Sequence, residues 1–385
     1  MSFFSLVKKL KGSNKESYSL VFNLGSGSVA GGIIKFTEET GVNIVHYDCE
    51  VIPFQQEISV SKHLDLMGTS LTALAKRIQI EGLKKIGLKK GEKINLNRVF
   101  YIFSSPWSVS QTKTIRVKEV KAFRVTEDYL NKIIGEQEKS LQTDVLKAGK
   151  IIERKIIQMK VNGYTLTDVY DRLVKDLEIS VFLTVVPEEI LQIADRAIAK
   201  VFNIKNVWCH SLSLALLSVI RNIFPQEEDF ISIDISEEIT DISIVKDNIL
   251  ATSVSLPFGR NHFIRELSQR MSVTEEIADS MIKTHCLKAN DKLAALKLSV
   301  AMDQASANWI KKIFEVFDGL KEKIYVPETV FLVANLDFSH FLKDKMQKHD
   351  FEILLVDNKN IKSSLIQGDL LFKLSLMFLD NIYKI

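Results

Sequence analysis

Two short segments of the chain hold the residue types that grip phosphate. Residues 19–34 read SLVFNLGSGSVAGGII, and residues 230–263 read FISIDISEEITDISIVKDNILATSVSLPFGRNHF. Each runs as an apolar strand, a short polar turn and a second apolar strand. In the first turn Gly25 and Gly27 permit close backbone approach, and Ser26 and Ser28 add hydroxyl donors. A hairpin tip built this way wraps N–H groups around phosphate oxygens. In the second segment Asp234 ends the strand, Ser236, Glu237 and Glu238 form the tip, and Thr240 opens the return strand. One such turn reads equally as a tight hairpin that needs its glycines. Two of them, one in each half of the chain, describe a nucleotide cleft between related lobes.

The rest of the composition limits what such a cleft serves. At 385 residues the chain has room for two or three domains, at roughly 150 residues each. Lys and Arg number 51 against 48 Asp and Glu, a balance that argues against nucleic acid as a partner. Cys49, Cys209 and Cys286 stand far apart in sequence, so no zinc or disulfide framework is indicated and a reducing cytoplasm is implied. No apolar run is long enough to span a bilayer. The start, MSFFSLVKKLKG, lacks signal-peptide order because its apolar residues precede its lysines. Phe3, Leu6, Val7 and Leu10 make one helical face beside Lys8, Lys9 and Lys11. That face reads as a frayed terminus or as a peripheral membrane contact.

Around the two hairpins the pattern alternates strands and helices. Helices are expected over 61–86, 126–147, 188–200, 207–220, 259–285 (as two), 291–320, 338–348 and 365–380, from apolar residues near helical spacing. Ser272 with Glu275 three positions on reads as a capping box. Strands are expected over 97–107, 111–120, 151–161, 177–186, 330–334 and 353–356, with a turn at Asn162 and Gly163. Gly87, Lys89, Lys90 and Gly91 mark a boundary. The expected organisation is α/β: a first domain over 1–87 and 187–205, an inserted α/β subdomain over 88–186 and a second domain over 206–385. Trp107, Phe103 and the strand 111–120 are candidate contact surfaces of the insert, or its core.

The second hairpin resembles the actin-like ATPase superfamily, and within it the bacterial FtsA and PilM proteins. The family pattern D-I-G-G-G-T-T-D, followed by P-x-G-G, aligns with D-I-S-E-E-I-T-D and P-F-G-R-N-H here. Residues 97–118, 161–186 and 209–217 resemble further family segments. The resemblance implies an actin-like, ribonuclease-H-like fold of two lobes with a small subdomain inserted in the first. It implies ATP and Mg²⁺ as cofactors, held by Asn23, Gly25, Ser26, Gly27, Ser28, Asp234, Ser236, Glu237, Thr240, Gly259, Asp279, Ala334 and Asn335, with Asp234 nearest the metal.

Several positions depart from the family pattern. Asn23 replaces the Asp that organises Mg²⁺, and Ser236, Glu237 and Glu238 replace glycines. Like charges a few ångströms apart cost on the order of kilocalories near a protein surface. Ile282 stands at the nucleoside lysine position with Lys283 one residue late, and His210 replaces an acid. These departures lead us to expect weak or absent hydrolysis and to assign no catalytic residue. The resemblance then implies an FtsA-like cytoplasmic scaffold of bacterial cell division, working at the inner face of the membrane, with protein partners and self-assembly. Its alternatives are a PilM-like platform of type IV pilus assembly and an active ATPase or kinase of the superfamily.

Overall fold

The computed structural model describes residues 17–37, 41–55, 59–87, 96–144, 149–166, 169–286, 292–322, 324–334, 336–347, 351–361, 365 and 367–383. The N-terminal face over Phe3 to Leu10 and the expected site residue Asn335 lie outside them. The described residues open with three antiparallel neighbours, β1 (Ser17–Leu24), β2 (Ser28–Thr37) and β3 (Gly41–Val51). Helix α1 (Val60–Arg77) runs on through a π turn at Ile78–Gly82 into α2 (Leu83–Lys85). Its buried stripe, Leu64, Met67, Leu71, Leu74 and Ile78, has the spacing that places side chains on one helix face. β4 (Leu96–Phe103) then pairs in parallel with β1.

The insert follows β4. It consists of β5 (Val109–Arg124), α3 (Glu127–Asp144), β6 (Gly149–Val161), β7 (Tyr164–Thr165) and β8 (Leu173–Pro187), with strand order β5-β8-β6-β7. Leu130 and Ile134 of α3 close its core against Ile115, Leu177, Ile179 and Val181. The chain returns through α4 (Glu188–Ala199) to β9 (Val207–Ser211), which pairs in parallel with β4. The first sheet therefore reads β3-β2-β1-β4-β9.

Helix α5 (Leu212–Ile223) leads into the second lobe. β10 (Phe230–Ile235), β11 (Thr240–Lys246) and β12 (Ile249–Leu256) repeat the antiparallel trio. Then come α6 (Arg260–Met271), α7 (Glu275–Cys286), α8 (Lys292–Lys321), β13 (Thr329–Val333), α9 (Leu336–Met346) and β14 (Glu352–Leu355). The second sheet reads β12-β11-β10-β13-β14, the same topology as the first, with β13 parallel to β10 and β14 parallel to β13. Helix α10 (Leu370–Ile382) closes the described chain.

One core joins the lobes. Leu214, Leu216 and Val219 of α5 and Phe372, Leu376 and Phe378 of α10 share a cluster with Val21 and Phe100 of the first sheet and Phe230 and Phe331 of the second. β10 is covered on both faces and buried at every residue, its apolar run broken only by Ser232 and Asp234. Ile233 stands at its centre with no exposed surface. Ile233→Val is expected to cost about 1 kcal/mol, the usual loss for one buried methylene, read as a lowered urea midpoint with unchanged slope.

The structure moves several expected boundaries. Residues 96–103 belong to the first sheet, so the insert's own sheet starts at Val109 rather than at residue 88. Residues 207–211 are a strand of that same sheet and not the start of a helix, so the second lobe does not begin at 206. Ser211 ends the strand and caps α5, its hydroxyl accepting from Leu214 N–H at 3.3 Å. Ser272 adopts a left-handed conformation (φ 53°) that ends α6, so it caps no following helix. Trp107 and Phe103 are buried core residues and present no contact surface.

Candidate functional site

The crevice between the lobes is bounded by two hairpin tips. In the first, Gly25 N–H donates to Ser28 O at 3.0 Å and closes the turn. Trp107 Nε1 donates to Gly25 O at 2.7 Å and holds the turn from below. The indole stacks on His63, which bonds Gln55 in turn. In the second tip, Ser236 N–H and Oγ both donate to Ile239 O at 2.9 Å. Gly259, at the start of α6, lies so close to this turn that a Cβ there would overlap the backbone of Glu237 and Glu238. The free N–H groups of a helix N-terminus are a ready anion site. Here Arg260 N–H donates to Ser236 O and Asn261 N–H to Glu237 O, so these donors are already used.

The tips meet across the crevice. Ser26 Oγ is fully buried, lies 2.8 Å from Ser236 Oγ and accepts from Glu238 N–H at 3.0 Å. The Glu237 side chain packs on Gly27, where an added Cβ would overlap its Cβ and Cγ. Glu238 receives both guanidinium nitrogens of Arg265 at 3.0 Å and Asn261 Nδ2 at 2.7 Å. Arg265 also donates to Gln55 O at 2.8 Å in the first lobe and lies over the Phe54 ring at 4.5 Å.

Behind the tips two acids face each other. Asp234 stands opposite Asp241 in the β10–β11 ladder. Burial pushes the Asp234 carboxyl well above the ordinary range, and Asp241 and Glu237 push it further. Burial likewise raises Asp241, although Ser255 and Ser105 donate to it. Glu237 is raised by burial as well. Asp234 Oδ1 has no hydrogen-bond partner. A cavity of about 20 Å³ beside Ser104, Ser213, Ser232, Asp234 and Asp241 has room for one water.

The structure brings together Gly25, Ser26, Gly27, Ser28, Ser236, Glu237 and Gly259, and Asp234 lies just behind them. Other expected residues are committed elsewhere. Thr240 Oγ1 donates to Phe258 O and accepts from Trp309 Nε1, so it serves the lobe's interior. Asn23 Nδ2 donates to Ser375 Oγ of α10 at 2.9 Å. Asp279 pairs with Arg260 at 2.6 Å and Lys283 at 2.7 Å. Ile282, at the family's lysine position, is in the second lobe's core, and Ala334 is buried at the end of β13. Sequence reasoning missed Arg265, Gln55 and Phe54. The six-residue offset from Gly259 to Arg265 offered no motif, and the Gln55 contact is through the main chain.

Mg²⁺ and ATP do not fit these residues well. The space at Gly27 is filled by Glu237, the α6 donors are bonded within the second tip, and Glu238 is already paired with Arg265. Among the described residues, no three His, Cys, Asp or Glu side chains are grouped to share a metal. Gly27→Ala is expected to push the tips apart and cost about 1–3 kcal/mol. Adding Glu237→Gly should restore most of that loss. Equal midpoints for the single and double variants in a urea titration would show that the packing at Gly27 is not what matters.

A second polar cluster lies outside the crevice. Glu153 of β6 receives His210 Nδ1 at 2.8 Å, Ser211 N–H at 2.9 Å, Ser211 Oγ at 2.6 Å and Thr184 Oγ1 at 3.2 Å. His210 Nε2 meets Tyr383 OH at 2.9 Å. The cluster ties the insert to β9 and to the residue that ends α10, and His210 is a packed structural residue here.

Two five-stranded sheets of identical topology, with an insert after β4 and facing hairpin tips, define an actin-like ATPase fold. No protein-family model matches the sequence, and no curated protein sequence matches it. Among solved structures the chain is similar to the PilM-PilN type IV pilus biogenesis complex, at 11% identity and a TM-score of 0.62, over 94% of this chain and 97% of that one. It is also similar to the ethanolamine utilization protein EutJ from Carboxydothermus hydrogenoformans, at 9% identity and a TM-score of 0.48, over 95% and 92% of the two chains. A third similar structure is MreB 5 of Spiroplasma citri bound to AMPPNP, at 12% identity and a TM-score of 0.40, over 88% and 91%. The chain has the actin-like fold.

Proposed function

We propose that this protein is an actin-like scaffold that acts by holding protein partners, without turning over ATP. The observation behind this reading is the filled crevice: Glu237 packs on Gly27, and Ser26 bonds across to Ser236 and Glu238. Phosphoryl chemistry on this fold needs backbone and cation at that place, and side chains stand there instead. Among scaffolding roles, a PilM-like platform of pilus assembly draws support from the similarity to the PilM-PilN complex over nearly the whole chain. An FtsA-like division scaffold is the second form of the same reading, resting on the sequence resemblance. Both place the protein in the cytoplasm, at the inner face of the membrane. Among the described residues no helix is long and apolar enough to cross a membrane.

Calorimetric titration with Mg·ATP, together with a phosphate-release assay, tests the central claim. The expected result is no saturable heat and no turnover. Micromolar binding with release of phosphate would overturn it and favour an active ATPase. Co-purification with pilus or with division proteins then separates the two scaffold roles.

A further inference from the structure

We propose that Glu237 and Glu238 form a built-in clasp that holds the lobes in one closed arrangement with no ligand. The inference rests on the scaffold reading above and adds how the crevice is kept shut. In a two-lobed protein, a ligand closes the cleft only through its differential affinity for the closed state. Here the groups that bridge the lobes belong to the chain itself. The buried Ser26 hydroxyl binds Ser236 Oγ and the Glu238 amide. The Glu237 side chain fills the space on Gly27, with its carboxylate 3.5 Å from Ser28 Oγ. Glu238 is held bidentately by Arg265, whose guanidinium reaches across to Gln55 O and lies on Phe54. Charge-assisted bidentate pairs are among the stronger hydrogen-bonded contacts, and only 16% of the Arg265 side chain and 9% of the Glu238 side chain are exposed. Glycines at 237 and 238 could make none of the side-chain links. The two acids thus act together: Glu237 occupies the gap, and Glu238 anchors the tip through Arg265 to the first lobe.

Hydrogen exchange of the full chain tests the clasp, with wild type compared to Arg265→Ala, Arg265→Lys and the Glu237→Gly/Glu238→Gly double variant. In wild type, the amides of residues 25–28 and 237–240 should exchange slowly without ligand and be unchanged by Mg·ATP. In Arg265→Ala and in the double variant, those amides should exchange roughly tenfold faster, as expected for loss of a charged hydrogen-bonded pair. Exchange in the insert should stay as in wild type. Arg265→Lys keeps the charge but loses the fork, so it should fall between and guards against a variant that fails to fold. Tip amides that exchange in wild type as fast as in the variants would overturn the clasp. So would a clear slowing in wild type on adding Mg·ATP. If Mg·ATP is bound and turned over while tip exchange stays slow and unchanged, the scaffold reading fails and the clasp stands. If the variants leave tip exchange untouched and ATP is still ignored, the clasp fails and the scaffold reading stands.

Discussion

Glu153→Ala is expected to lower the unfolding free energy by about 3–5 kcal/mol, because it removes the acceptor that His210, Ser211 and Thr184 share in the interior. The Glu153 side chain is 1% exposed and accepts from His210, from the Ser211 amide and hydroxyl, and from Thr184. Alanine would leave those donors facing apolar surroundings, and each unmet buried donor costs about 1–3 kcal/mol before relaxation. The loss should be felt at a junction. Ser211 caps α5, His210 reaches Tyr383 at the end of α10, and Glu153 comes from the insert. Glu153→Gln keeps an acceptor oxygen for Ser211 and should lose roughly half as much. Urea denaturation with a fixed slope measures both. An alanine variant within about 0.5 kcal/mol of wild type, the range of ordinary surface substitutions, would mean that the cluster does not hold the insert to the lobe.

That junction also shows what the sequence could and could not reveal. The duplicated lobes were legible because β1 and β10 are apolar runs, each followed by a short polar turn and a second apolar strand. The insert was legible as a separate α/β unit because α3 and its strands bury a core of their own. Its first boundary was misplaced because 96–103 has strand character that cannot say which sheet it joins; the pairing with β1 decides that. Residues 207–220 looked continuous because Val207 and Trp208 are as apolar as the helix that follows. Ser211, a good N-cap, was the one local sign of the break. In the crevice, the acids replacing glycine were visible as a departure from the family. What they do was not visible, since Glu238 meets Arg265 through the turn of α6 and Ser26 meets Ser236 from the far half of the chain. Residue types predicted a damaged phosphate site. Only the geometry shows that the same residues join the lobes.

The buried acids make the protein's stability depend on pH in a direction opposite to the usual acid denaturation. Asp234 is raised by burial, then by Asp241 and by Glu237, so the folded state keeps a proton that the unfolded chain releases near pH 4. Where the folded state binds more protons, stability falls as pH rises. The favourable contribution is therefore complete below the unfolded value. It is lost as pH climbs from there toward the folded one, at up to about 1.4 kcal/mol per pH unit for each such group. Asp234→Asn removes the titrating carboxyl with little change of shape. It also relieves Asp241, which stands opposite in the ladder. The variant should gain on wild type steadily from pH 4 to pH 8 and match it most nearly at the acid end. Asp48 and Asp279 have the opposite sign: against the cost of burial, Arg77 holds the first low, and Lys283 with Arg260 holds the second low. Both are present in each protein, so they cancel in the difference. Paired urea titrations at each pH give that difference directly. Parallel curves for the two proteins would mean that Asp234 is ionised in the folded state and that its charge is met by something other than the neighbours seen here. A widening gap toward alkaline pH would show that Asp234 keeps its proton in the folded state, held there by burial and by the neighbouring Asp241 and Glu237.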